Sequence, residues 1–157
     1  MASIDALGWE AGESSFSDDK SKLDVETIHA FLSRSYWAAG IPMEAVRTMI
    51  ANSFCIRAYS REAGQAGFAR VLTDYARFAF LADVFVLEAQ RGKGLGKLLV
   101  KTVLDHAALG SAGVWLLATR DAHGLYEKFG FQGLAEPEKF MILRRRGSGG
   151  QLRDRGD

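Results

Sequence analysis

The sequence contains a single cysteine, Cys55, among its 157 residues. One cysteine excludes an intrachain disulfide, and its position in an apolar, strand-like run predicts a buried, reduced thiol. An excess of charge of one sign is also missing, since 20 lysines and arginines are matched by 19 aspartates and glutamates. A formal net charge of +1 gives no electrostatic reason to expect nucleic acid or a membrane surface as a partner.

Long apolar runs are missing as well. No stretch approaches the ~20 consecutive apolar residues that span a bilayer. The N-terminal residues carry Asp5, Glu10 and Glu13 and lack the apolar core of a signal peptide. The three histidines show no metal-ligand spacing, and one cysteine cannot complete a zinc set. We therefore expect a cytoplasmic protein with no membrane association and no metal.

The composition does supply material for a core, because hydrophobic residues make up 48% of the chain. A chain of this length is typical of one domain. We divide it into a polar N-terminal segment over residues 1–20, with a short strand expected near Ile4 to Trp9, a folded domain over 21–144 and a flexible polar tail over 145–157.

Apolar periodicity predicts an alternation of helices and strands within this domain. Two helices are expected after Asp24, an N-cap type of residue, and after Pro42. Later strands are expected over residues 54–59, 67–72, 78–87, 114–118 and 140–143, with helices over 95–103 and 122–129. Residues 78–87 are nearly all apolar, so we expect a central strand buried on both faces. Residues 114–118 are expected to form another buried strand. The order (β)ααβββαβαβ indicates an α/β (α+β) fold with a mixed central β-sheet flanked by helices.

A glycine-rich turn, Arg91-Gly92-Lys93-Gly94-Leu95-Gly96, joins the central strand to the following helix. Glycine lets the backbone adopt positive φ and approach a ligand closely, and the start of a helix offers free N–H groups and a positive dipole end. A pyrophosphate fits such a turn, and an ordinary strand–helix turn is the alternative. The spacing fails the mononucleotide P-loop at Leu98 and the dinucleotide fingerprint at Lys97.

A second motif follows about thirty residues later. Together, Arg91-x-x-Gly94-x-Gly96 and Ala122-x-x-Leu125-Tyr126-x-Lys128-x-Gly130-Phe131 resemble the GNAT superfamily of acetyl-CoA-dependent N-acetyltransferases. The resemblance covers roughly residues 23–143, and the pair of motifs in this order is specific.

The resemblance implies a set of acetyl-CoA contacts. The main chain of the turn would bind the coenzyme A pyrophosphate, and the central strand would pair with the pantetheine arm where it splays from the next strand. Thr119 occupies a position where the family often carries Asn. The implied cofactor-binding residues are Val84, Phe85, Val86, Arg91, Gly92, Lys93, Gly94, Leu95, Gly96, Thr119, Tyr126 and Lys128.

Two residues are candidates for the chemistry. The resemblance implies that Tyr126 protonates the departing thiolate, and a core tyrosine on a short helix is the alternative. Asp83 interrupts an apolar strand, where an unpaired charge is costly. It is either a carboxylate that holds or deprotonates the amine, or half of a structural ion pair.

The acceptor side is expected to be partly aromatic. Its candidate residues are Tyr36, Trp37, Tyr75, Asp83 and His123, and packing or capping roles are the alternatives. We expect direct transfer of an acetyl group from acetyl-CoA to a primary amine of a small molecule or peptide, in a chain that could form a homodimer as family members commonly do. A catalytically inactive acyl-CoA-binding regulatory domain is the second hypothesis.

Overall fold

The computed structural model describes residues 14–145. The strand expected near Ile4 to Trp9 and the tail beyond residue 145 lie outside this range. One five-stranded sheet, in the order β1-β2-β3-β4-β5, forms the centre of the fold. The elements are β1 (Ser14–Ser17), α1 (Val25–Leu32), α2 (Met43–Ala51), β2 (Phe54–Ser60), β3 (Gly64–Thr73), β4 (Phe78–Val86), α3 (Leu95–Leu104), β5 (Val114–Leu117) and α4 (His123–Glu127).

The sheet is mixed, as predicted. Strands β1 to β4 pair antiparallel in sequence order, and β5 joins β4 in parallel. The parallel pair needs a crossover, which α3 supplies. This arrangement places the glycine-rich turn at the carboxyl end of β4.

Helices cover both faces of the sheet. The apolar side of α3, including Leu99 and Val103, packs on one face together with Ile56 and Leu81. Helices α1 and α2 cover the other face, where their side chains enclose Phe68, Phe85 and Cys55. Helix α1 begins at the predicted cap, because the Asp24 carboxylate accepts a hydrogen bond from the Thr27 N–H at 3.0 Å.

Three expectations about strands need correction. Strand β4 is not buried on both faces, since its residues alternate between buried and partly exposed. Strand β5 is not a buried strand either, because it lies at the edge of the sheet and Val114 is exposed. An apolar run shows only that a strand can be buried, and the available helices decide how much of it is covered.

The third correction concerns the C-terminal end of the domain. Residues 140–143 form no strand, and all four are exposed. They have strand-forming residue types, but a strand requires a partner, and no described strand pairs with them. At the other end, β1 arises within the segment predicted to be polar, where its one apolar side chain, Phe16, is buried.

No helix within residues 14–145 combines the length and the apolar character needed to cross a membrane.

Candidate active site

Strands β4 and β5 separate part-way along their length. Their parallel pairing runs from Phe78 opposite Val114 to Leu81 opposite Leu117 and stops there. Strand β4 continues to Val86, so among the described residues its edge over 82–86 has no paired strand. Val84, Phe85 and Val86, the expected pantetheine-binding residues, lie on this stretch. Free backbone donors and acceptors at such an edge can pair with an extended ligand.

A β-bulge at Asp83 reshapes the same stretch. Phe68 of β3 pairs with Phe85 and Arg70 pairs with Ala82, so β4 has one extra residue between these pairs. Asp83 takes a left-handed φ of 51°, a conformation that costs a non-glycine residue about 1–2 kcal/mol. The extra residue shifts the side-chain alternation, since Leu81 packs beneath α3 and Phe85 packs beneath α1 and α2.

The Asp83 side chain is the centre of a buried polar cluster. Trp37 Nε1 donates to Oδ1 at 2.8 Å, and Arg70 Nε donates to Oδ2 at 2.7 Å. Arg70 also donates to Ser53 Oγ at 3.0 Å. Both ionic side chains are buried, so the charge of Asp83 is compensated where water is excluded. The ion pair considered as an alternative from the sequence is therefore present, and both carboxylate oxygens already accept hydrogen bonds.

Tyr36 links the loop after α1 to the loop after β5. Its hydroxyl oxygen accepts a hydrogen bond from the Arg120 backbone N–H at 3.0 Å, and the Arg120 guanidinium lies 3.9 Å from its ring centroid. The Tyr36 ring also meets the Trp37 ring edge-on at 5.0 Å. Two aromatic side chains thus form one wall beside Asp83. The cation–π contact with Arg120 attaches this wall to the loop after β5.

Tyr126 lies on α4 and is 9% exposed. Its ring packs against Phe131 at 5.9 Å between centroids. Burial, and to a smaller extent the neighbouring Tyr36, raise the pKa of Tyr126 to about 12. The phenol is therefore fully protonated at neutral pH and can act as a hydrogen-bond or proton donor.

The glycine-rich turn lies where β4 ends. Arg91 Nε donates to the carbonyl of Val86 at 3.1 Å and ties the turn to the strand. Gly92 and Gly94 have φ values of 80° and 78°, which only glycine adopts at little cost. Gly94 is the N-cap of α3, so the first N–H groups of that helix face the end of β4. The turn thus has the backbone features that a pyrophosphate site requires.

Comparison with known proteins identifies this arrangement. The family model of the acetyltransferase (GNAT) domain matches residues 51–133. A crystal structure of a Xanthomonas campestris protein assigned to the GNAT family is 40% identical, with a TM-score of 0.81 over 85% of this chain and 94% of that one. The chain belongs to the GNAT acetyltransferase family.

Two more distant matches are a protein named as an acetyltransferase and a solved structure with the same fold. A curated protein of Gibberella zeae, named "Putative acetyltransferase", is 27% identical over 150 residues, which cover 82% of this chain and 84% of the relative. Glucosamine-6-phosphate N-acetyltransferase from Arabidopsis thaliana shares the fold, with a TM-score of 0.60 at 17% identity over 87% of this chain and all of that one.

The other residues of this GNAT chain that were predicted to bind cofactor or substrate lie on α4, just before it, or in the β3–β4 turn. His123 is the first residue of α4 and Lys128 is its C-cap. Thr119 Oγ1 accepts a hydrogen bond from the Ala122 N–H at 3.1 Å, just before α4. Tyr75 lies in the β3–β4 turn with φ of 59°, at the opposite end of β4 from Val86. The fold thus groups Tyr36, Trp37, Asp83 and Tyr126, and places Tyr75 at the far end of the strand.

Sequence reasoning missed three residues that contact the candidate site, namely Arg70, Ser53 and Arg120. Arg70 could have been found, because a hairpin folded around residues 74–77 brings an arginine in β3 close to the buried carboxylate of β4. Ser53 and Arg120 lie in loops, and no spacing rule connects them to the site.

Cys55 is not a candidate nucleophile. The thiol is almost completely buried in the layer between the sheet and helices α1 and α2, and it faces the Ile50 carbonyl of α2. Burial raises its pKa to about 11, which removes the thiolate that nucleophilic attack requires. Within residues 14–145, no three metal-ligating side chains of the His, Cys, Asp or Glu type gather into a cluster.

Proposed function

We propose that this GNAT acetyltransferase transfers the acetyl group of acetyl-CoA directly to a primary amine of a small molecule or peptide. The observation that carries the proposal is the opening between β4 and β5 beyond Leu81 and Leu117. The glycine-rich turn follows β4 at this end of the sheet, and the buried Tyr126 phenol has Tyr36 as a neighbour.

Acetyl-CoA would lie along this opening. The main chain of residues 91–96 would hold the pyrophosphate, and the free edge of β4 over Val84 to Val86 would pair with the pantetheine amides. A backbone N–H at the bulge is suited to stabilise the oxyanion that forms when the amine attacks the thioester.

Tyr126 would donate a proton to the thiolate as the carbon–sulfur bond breaks. Its raised pKa keeps the phenol protonated at neutral pH, so it can hydrogen-bond to the developing thiolate and pass its proton on as the nitrogen returns one. The attacking ammonium must first give one proton to solvent, which costs about 4–5 kcal/mol at a pKa of ~10.4 and pH 7. The second proton leaves the nitrogen as the new carbon–nitrogen bond forms and would restore the Tyr126 phenol.

We assign Asp83 to the acceptor site as a positioning residue. Its two oxygens hold the Trp37 indole and the Arg70 guanidinium, so it fixes the aromatic wall against which the amine would lie. Direct transfer is favoured over a covalent acyl-enzyme because the one cysteine is buried and protonated.

Ligand-dependent thermal shift tests the donor. Acetyl-CoA or CoA at a hundred times its Kd adds about 2.7 kcal/mol of stability, or roughly 5–11 °C in Tm for a chain of this size. ATP and NAD serve as controls and leave Tm unchanged. No shift with either CoA species at saturating concentration contradicts the proposal.

Thiol release from acetyl-CoA, measured over a panel of primary amines with matched alcohols, tests the acceptor. Turnover with amines and not with alcohols supports N-acetylation. Binding of acetyl-CoA without turnover on any amine supports the alternative, an inactive acyl-CoA-binding domain of the same fold.

A further inference from the structure

The Arg120 guanidinium lies over the aromatic wall that Tyr36 and Trp37 form. Its central carbon is 3.9 Å from the centroid of the Tyr36 ring. The backbone N–H of the same residue donates to the Tyr36 hydroxyl oxygen at 3.0 Å. Because two contacts already hold this arginine in place, it loses little further conformational freedom when it binds a ligand.

The Arg120 side chain has donors available for a ligand. A guanidinium carries five N–H donors, and within residues 14–145 that of Arg120 donates none of them in a hydrogen bond. Its ionic contact is with Asp121, whose Oδ2 lies 3.7 Å from Nη2. Both side chains are more than half exposed, so this pair is weak. The planar fork can therefore bind a carboxylate or a phosphate with two parallel hydrogen bonds.

The charges around the candidate acceptor site favour an anion. Asp83 is buried, and both of its oxygens already accept hydrogen bonds, so it offers no free carboxylate to a cationic acceptor. The described loop between α1 and α2 has Arg34 as its one charged residue, and the loop between β5 and α4 has Arg120 and Asp121. The two loops together are positive, and such a surface attracts an anionic ligand and repels a polyamine.

We propose that Arg120 determines acceptor specificity, and that the acceptor is a primary amine that also carries a carboxylate or a phosphate. The oxyanion would bind the Arg120 fork, and the rest of the acceptor would lie along the Tyr36 and Trp37 rings with its amine toward the β4–β5 opening. The inference rests on the proposed function, because it assigns a role within the same acceptor site. Asp121 would oppose it, since its carboxylate competes for the same guanidinium.

Matched acceptors test this specificity. Glycine, β-alanine and γ-aminobutyrate are compared with their primary carboxamides, and phosphoethanolamine is compared with ethanolamine, by thiol release from acetyl-CoA. At least one anionic acceptor should have a kcat/KM at least about tenfold above that of its neutral partner, because only the anion makes the charge-assisted contact. Added salt should reduce this advantage. Neutral acceptors that all perform as well as their anionic partners would overturn the inference and leave N-acetylation itself intact.

Three variants distinguish recognition of the anion from support of the wall. Arg120→Gln keeps the backbone N–H that bonds to Tyr36. It should lower kcat/KM for the preferred anionic acceptor at least about tenfold, chiefly through KM, and change that of the neutral partner less than about twofold. Asp121→Asn should raise kcat/KM for the anion. Arg77→Gln, at an exposed position in the β3–β4 turn, should change neither. An equal loss with both acceptors in Arg120→Gln would show a structural role and overturn the inference.

Binding of the acetylated products tests the same contact without turnover. The N-acetylated form of each matched acceptor is titrated into isotope-labelled chain, with and without CoA. The indole N–H resonance of Trp37, identified by its loss in Trp37→Phe, reports occupation of the wall. At least one anionic product should bind at least about tenfold tighter than its neutral partner to the wild-type chain, and equally tightly to Arg120→Gln. Equal affinities in the wild-type chain, or no binding of any anionic product, would overturn the inference even in a chain that proves catalytically inactive.

Discussion

The roles of single residues are clearest in the cluster around Asp83. Trp37→Phe keeps a ring but removes the N–H that bonds to Oδ1. If Asp83 positions the aromatic wall, this variant should raise KM for the amine about tenfold with little change in KM for acetyl-CoA. Steady-state kinetics with each substrate varied in turn measures both constants.

The variant Asp83→Asn distinguishes a positioning role of Asp83 from a role as the base that deprotonates the amine. It breaks a buried ion pair with Arg70, so a loss of about 3–5 kcal/mol in folding stability is expected. Assays are therefore run well below its Tm. A positioning role leaves the acidic limb of the kcat–pH profile in place, whereas loss of that limb with an unchanged KM for the amine would restore Asp83 as the base.

Tyr126 offers a third prediction for a single side chain. Tyr126→Phe keeps the packing against Phe131 and removes the proton donor, so kcat should fall at least about tenfold. The Kd for acetyl-CoA, measured by calorimetry, should change little. An unchanged kcat would remove Tyr126 from the mechanism.

The raised pKa of Tyr126 also predicts the pH dependence of stability. Because the folded-state pKa is about 12 and the unfolded value is ~10, the folded chain holds this proton more tightly. The wild-type chain should therefore lose stability as pH rises from about 10 to 12, and Tyr126→Phe should lose less. Urea unfolding across this pH range compares the two.

Among the elements, the glycine-rich turn before α3 allows a matched comparison. Gly94 has a φ of 78° with open space around it, so Gly94→Ala is strained by about 1–2 kcal/mol. Distortion of the turn should raise the Kd for acetyl-CoA as well.

Gly96 lies inside α3, and an added Cβ would meet Val86 at 3.8 Å, an ordinary contact. Alanine favours a helix, so Gly96→Ala should hold or raise Tm.

Calorimetric Tm and acetyl-CoA titration distinguish the roles of the two glycines. Gly94→Ala with wild-type Tm and affinity would show that the turn does not require positive φ for binding. Gly96→Ala with normal Tm but weakened binding would indicate that the ligand approaches this residue too closely for a side chain.

The elements that could be predicted from the sequence are those with local signals. Asp24 caps α1 through its own side chain, and the glycine-rich turn has its conformation built into its residue types. The bulge at Asp83 and the edge position of β5 depend on which strands pair and which helices cover them. The same is true of residues 140–143, whose composition favours a strand that the described chain does not pair.

For the whole molecule, the site depends on how the sheet is divided between its two helical layers. Because of the bulge at Asp83, the odd-numbered side chains of β4 change face: Leu81 packs in the α3 layer, whereas Phe85 packs in the layer of α1 and α2. The bulge thereby sets Asp83 beneath the loop that carries Trp37. Neither the bulge nor this loop contact is visible in the spacing of residues, so the sequence could not predict how Asp83 and Trp37 come together.

Cys55 provides a probe of the stability of this whole arrangement. It lies between the sheet and helices α1 and α2, and burial raises its pKa to about 11, so a thiol reagent should react only when the layers open. Labelling at pH 8 should be at least about 1,000-fold slower than in the unfolded chain. Saturating acetyl-CoA should slow it further, because the ligand stabilises the folded state.

Glu44→Cys, an exposed position on α2, should label at once at that site and thus report the reactivity of the reagent. Rapid labelling of Cys55 in the native wild-type chain would mean that the layer of α1 and α2 separates from the sheet without global unfolding.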